Sequence, residues 1–229
     1  HIVKGGVAIT HYFNAEMAEE HNRRVSEYNG QNKEKLVLFQ SAPKNEGASA
    51  YFDRKVRDFF REAEEKFSGE DTSNKIFVWC QGESDRTAKK ARYRIRLEIL
   101  WEHLKALGFT HFFCVRVGYW GENNENNFIH EVMEAQEEFC RENENCYMIT
   151  RAMSLIPYKG IANELWFTKE PDEKYHDCRD TAYGFGNPHV NEKGFAVIAE
   201  AMADNSLRVL REGKEPVLEE ELVKKLVRN

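Results

Sequence analysis

The stretch Ile76-Phe77-Val78-Trp79-Cys80 decides the fold. Five consecutive apolar residues, too few for a buried helix and bounded by polar sequence, read as a strand covered on both faces. On its carboxyl side, Leu97, Leu100, Trp101, Leu104 and Leu107 recur at helical spacing, and Gly108 supplies a C-terminal stop. A second strand is predicted over His111 to Val117, a helix over Phe128 to Phe139, a strand over Cys146 to Thr150, and a helix over Glu192 to Leu210. On the amino side, Phe52, Val56, Phe59, Phe60, Ala63 and Phe67 mark another helix, and Lys35-Leu36-Val37-Leu38-Phe39 reads as a further buried strand. Strands regularly separated by helices require crossover connections, so the expected class is α/β with a mainly parallel sheet. Ligands of such sheets sit beyond the carboxyl ends of the strands. That directs attention to the loops after Phe39, Cys80, Val117 and Thr150.

A chain of 229 residues with 41% apolar content suits one domain. We place that domain over residues 1–211 and a C-terminal tail over 212–229, whose Val217, Leu218, Leu222, Val223, Leu226 and Val227 form an apolar stripe expected to pack back on the domain. The connection from Ala152 to Pro188 is long for a structureless loop, a length more typical of functional lids or disorder. The formal net charge of −6, with both signs dispersed, argues against nucleic acid as a partner, which calls for a basic stripe. No apolar run is long enough to span a bilayer, and no basic-then-apolar signal segment is present, so no membrane partner is expected. His1 rather than Met opens the sequence, which fits a processing site or a boundary. Five scattered cysteines without CxxC spacing do not read as a disulfide framework and favour a reducing, cytoplasmic setting.

The chemistry-bearing segment is Gln81-Gly82-Glu83-Ser84-Asp85, placed directly after the strand. Gln81 offers an amide that can donate to a developing oxyanion. Glu83 offers a carboxylate for proton transfer or for orienting an imidazole. Read simply as a turn, Ser84 or Asp85 caps the helix that follows, and composition alone leaves the two readings level. The second feature is Gly186-Asn187-Pro188-His189-Val190-Asn191-Glu192-Lys193-Gly194, where a loop histidine precedes the last helix. Its value as a base lies in a pKa near working pH; a lone histidine is otherwise most often a surface residue. His176-Asp177-Cys178 gives no metal site, since adjacent residues cannot converge on one ion, and no metal or cofactor is expected. Gly5-Gly6 is too short for a phosphate loop. Trp120, Gly121 and the Asn-rich run to Asn127 either border a sugar site or form a plain polar loop.

Together these residues resemble a family. Trp79-Cys80-Gln81-Gly82-Glu83-Ser84-Asp85 is similar to the W-x-Q-G-E-S-x signature of the sialate O-acetylesterase and acetylxylan esterase branch of the SGNH (GDSL-like) hydrolases. His189 with Asn191 and Gly194 resembles that family's histidine block, and Gly47-Ala48-Ser49-Ala50-Tyr51-Phe52 more loosely resembles its G-G-S/T-x-x-W segment. The likeness runs from about Phe13 to Leu210. It implies a three-layer α/β/α fold of flavodoxin-like type, a serine nucleophile, His189 as general base, Gln81 and Gly47 as oxyanion donors, and Glu83 as the acid that orients the histidine. The expected activity is hydrolysis of an O-acetyl ester on a small-molecule or polysaccharide acyl-sugar substrate. A catalytically inactive glycan-binding module and a sugar O-acyltransferase are the alternatives.

Two departures matter. Gly186 stands three residues before the histidine, where the family has Asp. That favours Glu83 as the orienting acid, with Asp177 and Asp180 behind it. The G-Q-S-N block of the nucleophile is missing from the sequence. Either the serine lies before His1, or Thr10 or a neighbour stands in its place and the module is inert. Gln40-Ser41 echoes that block faintly, but Ala42 and Pro43 follow it. Ser41 and Ser49 are therefore subordinate nucleophile candidates, each more simply read as a loop residue.

Overall fold

The structure, a computed structural model, describes residues 7–39, 46–118, 128–153 and 192–218. Its described elements are five helices and a three-stranded sheet, α1 (Ala15–Gln31), α2 (Glu46–Lys66), β1 (Ile76–Trp79), α3 (Lys90–Ala106), β2 (His111–Val115), α4 (Ile129–Glu142), β3 (Cys146–Thr150) and α5 (Glu192–Glu212). Single 3-10 turns span Ile9–Tyr12 and Glu83–Asp85. The strands lie in the order β1-β2-β3 and every pairing is parallel, as the α3 and α4 crossovers demand. Ile76 opposes His111 and Trp79 opposes Cys114, while Phe112 opposes Cys146.

Alternation along the strands divides the core in two. Phe77, Trp79, Phe112, Cys114, Cys146 and Met148 face Tyr93, Leu97, Leu100 and Leu104 of α3 and Val132, Ala135 and Phe139 of α4. Phe113, Val115 and Ile149 face Ile198 and Val209 of α5. Helices thus cover both faces of a parallel sheet, an α/β architecture compatible with three layers. β2 and β3 are buried on both faces, which is what made them legible as continuous apolar runs, whereas the edge strand β1 buries Trp79 and leaves Val78 46% exposed among the described residues. Among the described helices, none is long and apolar enough to cross a membrane.

Local chemistry sets the helix ends. Asn14 caps α1 by accepting from Met17 N at 2.8 Å. α3 stops where Gly108 takes a φ of 102°, and Phe109 N donates to Leu104 O at 3.1 Å while Gly108 N donates to Lys105 O at 3.0 Å, the paired bonds of a Schellman stop. At its start, α3 is capped by neither Ser84 nor Asp85: its first amide, Lys90 N, donates to Glu131 Oε2 on α4 at 2.8 Å. The tail turns back as expected over its described part. Asn205 on α5 accepts from Val217 N (2.8 Å) and donates to Ile149 O (2.8 Å), and Leu218 packs on the core.

Lys35 to Phe39 is the main departure from the sequence reading. The segment is extended but belongs to no sheet among the described residues. Its polar backbone is satisfied by side chains of α1 instead. Asn29 accepts from Leu36 N (2.7 Å) and donates to Leu36 O (2.9 Å), and Asn22 does the same for Phe39 (2.8 and 3.2 Å). Leu36 is buried and Phe39 packs against the core, whereas Val37 and Leu38 are 60% and 42% exposed. The apolar run predicted burial of all four; a primary amide that offers a donor and an acceptor side by side can replace a neighbouring strand.

Candidate functional site

The loop after β1 stands at the carboxyl end of the sheet, the expected ligand side. Its geometry depends on Gly82, which has a φ of 157°, a value L residues with side chains rarely adopt. A Cβ there would lie 3.0 Å from Val117 Cβ and from Val132 Cγ1, both on fully buried residues. The loop therefore presses its backbone directly onto the β2 exit and α4.

Gln81 and Asp85 are the loop's two anchors. Gln81 Nε2 donates to Val7 O at 2.9 Å and to Asp85 Oδ2 at 2.8 Å, and Tyr93 Oη donates to Gln81 Oε1 at 3.3 Å. Both amide hydrogens are thus committed inside the protein. Asp85 is 2% exposed and accepts from Ile9 N (2.7 Å), Gln81 Nε2 and Arg96 Nη1 (3.0 Å). Burial raises the Asp85 carboxyl above its ordinary range, and Arg96 and the two other donors oppose that rise. Burial also lowers Arg96 to about 10, with Asp85 holding it up, so the guanidinium stays charged at neutral pH.

A second layer of polar groups supports the first. Gln136 on α4, fully buried, accepts from Val117 N at 2.8 Å and donates to the backbone oxygen of Gln81 at 2.7 Å. Trp79 Nε1 donates to Tyr93 Oη at 3.2 Å. The segment after β2, the loop after β1, α3, α4 and the chain at Val7–Ile9 are thereby joined through one buried network.

Glu83 stands between these anchors. Burial raises its pKa, the backbone amides of Glu83, Gly82 and Gly118 favour its ionised form, and the nearby Asp85 charge raises it further. A carboxylate in that setting is suited to accept or hold a proton. Desolvation and the Glu83 charge push the thiol of Cys80, its neighbour three residues back, up to about 12, away from the thiolate form. Its Sγ lies 3.7 Å from Met153 Sδ, beyond the end of β3. On the same edge, Glu137 receives Arg116 (2.9 Å) and Arg151 (2.6 Å), residues that follow β2 and β3. Burial would raise Glu137, but the two guanidinium groups, Arg151 foremost, hold it below its ordinary value.

The structure brings Gln81 and Asp85 together with Val7 and Ile9, next to Thr10, which lies half-buried in the first 3-10 turn. Gly47 and Ser49 lie in the first turn of α2, and Ser49, 1% exposed, is not open to a substrate as placed. His189, Ser41, Asp177, Asp180, Gly186, His176, Cys178, Trp120 and the run to Asn127 lie outside the described residues. Among the described residues, no cluster of three or more His, Cys, Asp or Glu side chains could hold a metal ion.

Sequence reasoning missed Tyr93, Arg96 and Gln136, and offered Asp85 only as one of two possible helix caps. The signal was present. Arg96 falls beside Leu97 and Leu100 in the apolar stripe of α3, and Gln136 falls between Val132 and Phe139 in that of α4, where a polar residue survives only with a partner. Comparisons with protein-family models, with curated proteins and with solved structures found no match to this chain.

Proposed function

We propose that this chain is a carbohydrate O-acetylesterase of the SGNH (GDSL-like) type, hydrolysing an acyl ester on a small-molecule or polysaccharide sugar. The observation that carries this reading is the position of Trp79–Asp85: the motif leaves the carboxyl end of a parallel strand and holds Glu83 as a desolvated carboxylate among backbone amides. In this reading a hydroxyl nucleophile attacks the acyl carbonyl, His189 takes its proton, and Glu83 holds the imidazole and steadies the charge it gains. N–H donors at the same edge meet the tetrahedral oxyanion. Gly47 and Gln81 are the candidates, and Gln81 would have to release Val7 or Asp85 to serve. The hydroxyl is the serine of the family block or Thr10.

The test is turnover of p-nitrophenyl acetate and release of acetate from acetylated xylose and acetylated sialic acid. His189→Ala and Glu83→Gln should each lower kcat by about 100-fold or more, in line with general-base loss, without unfolding the domain. Full activity in either variant refutes the assignment. Sugar binding without turnover in the wild-type chain would identify a glycan-binding module instead, and acetyl transfer to an added sugar in place of water would identify an acyltransferase.

A further inference from the structure

Asp85 has a role that neither proton transfer nor capping accounts for. Its buried carboxylate and the Gln81 amide grip one short piece of chain at two points. Gln81 Nε2 donates to Val7 O, and Ile9 N donates to Asp85 Oδ2, two residues further on. The same Asp85 oxygen accepts from Gln81 Nε2, and the other is taken by Arg96 Nη1 from α3. Neither side chain can turn without breaking a bond of the other.

We propose that Asp85 is the positioning residue of the site, fixing the chain at Val7–Ile9 against the Gln81–Asp85 loop, with Gln81 acting as its fellow anchor. This inference rests on the proposed esterase reading for its kinetic consequence, but its structural content is independent of it. Three features support it. The carboxylate is almost fully removed from water, so its three donors are its whole solvation and each is costly to lose. Ile9 is itself fully buried, so the backbone it anchors is also held by its side chain. Tyr12, three residues on, packs edge-on against Trp79 at the end of β1 with ring centroids 6.1 Å apart, so the grip continues along the turn. Through these contacts Asp85, which touches neither substrate nor the reacting atoms, sets how the chain at Val7–Ile9 meets the loop that carries Glu83.

The experiment compares wild type, Asp85→Ala, Asp85→Asn, Gln81→Ala and the Gln81→Ala/Asp85→Ala double variant by hydrogen exchange with mass spectrometry and by steady-state kinetics on p-nitrophenyl acetate. Loss of a charge-assisted bond of this kind predicts about ten-fold faster exchange over residues 7–13 in Asp85→Ala, with β2 and β3 unchanged. It also predicts a fall in kcat of about ten-fold with KM held within about two-fold, since positioning and not binding is lost. Asp85→Asn keeps an acceptor for Ile9 N and should recover most of the protection and part of kcat. The double variant should be no slower than the worse single one, because the two residues form one unit. Unchanged exchange over residues 7–13 in Asp85→Ala overturns the proposal. So does an exchange increase spread equally over the sheet, or strictly multiplicative kinetic losses. If the wild type shows no esterase activity, the esterase reading fails while the exchange data still decide the role of Asp85.

Discussion

His21 offers the sharpest quantitative test of the packing between α1 and α3. It is fully buried in α1, its ring lies 4.5 Å from that of Phe39, and its Nε2 has no hydrogen-bond partner among the described residues. Its pKa falls from 6.5 to about 4, through burial first and then the guanidinium groups of Arg96 and Arg92, with Asn22 opposing them. The folded protein therefore holds His21 neutral where the unfolded chain takes up a proton. Because the folded value lies below the unfolded one, stability is full above about pH 7.5 and is lost as pH falls through 6.5 toward 4. With those two values, linkage gives a loss of about 2 kcal/mol at pH 5 and about 3 kcal/mol at pH 4 relative to pH 8. The assay is urea denaturation of wild type and His21→Leu at pH 8 and pH 5 with the slopes compared. The variant should lose about 2 kcal/mol less than wild type over that interval, whatever its absolute stability. Identical pH dependence in the two proteins, or an NMR titration of the His21 ring near pH 6.5, would refute the reasoning.

Two further outcomes follow from the loop after β1. Gly82→Ala should cost about 3 kcal/mol, from the strained φ and from contact with Val117 and Val132, measured as a shift in the urea midpoint at constant slope; a loss under about 1 kcal/mol would show that the loop relaxes freely. Gln136→Leu, close in volume, should cost about 2 to 3 kcal/mol by stranding Val117 N in the core, and a neutral result would mean that another acceptor reaches that amide.

The fold was largely legible because β2 and β3 are buried on both faces and the helices present apolar stripes to the sheet. Ile76–Trp79, His111–Val115 and Cys146–Thr150 stand where the apolar runs placed them. Val37 and Leu38 misled because hydrophobicity reports what a residue tolerates, and here the segment's backbone needs were met by Asn22 and Asn29 of an earlier helix. The site was legible only as a string of letters. That Asp85 would meet Ile9, 76 residues earlier, and Arg96 on the next helix is long-range information that no local pattern holds. The histidine block around His189 falls outside the described residues, so its relation to Glu83 stands as a matter for the kinetic test.

The two asparagine clasps have one more implication. Asn22 and Asn29 are seven residues apart on a helix, a separation of about 10.5 Å, and Leu36 and Phe39 are three apart on extended chain, about 10 Å. Two turns of one geometry coincide with three steps of the other, like graduations on a vernier scale. Inserting a single residue within either interval would throw both asparagines out of alignment together, so this stretch should accept substitution of Val37 or Leu38 far more readily than any change of length.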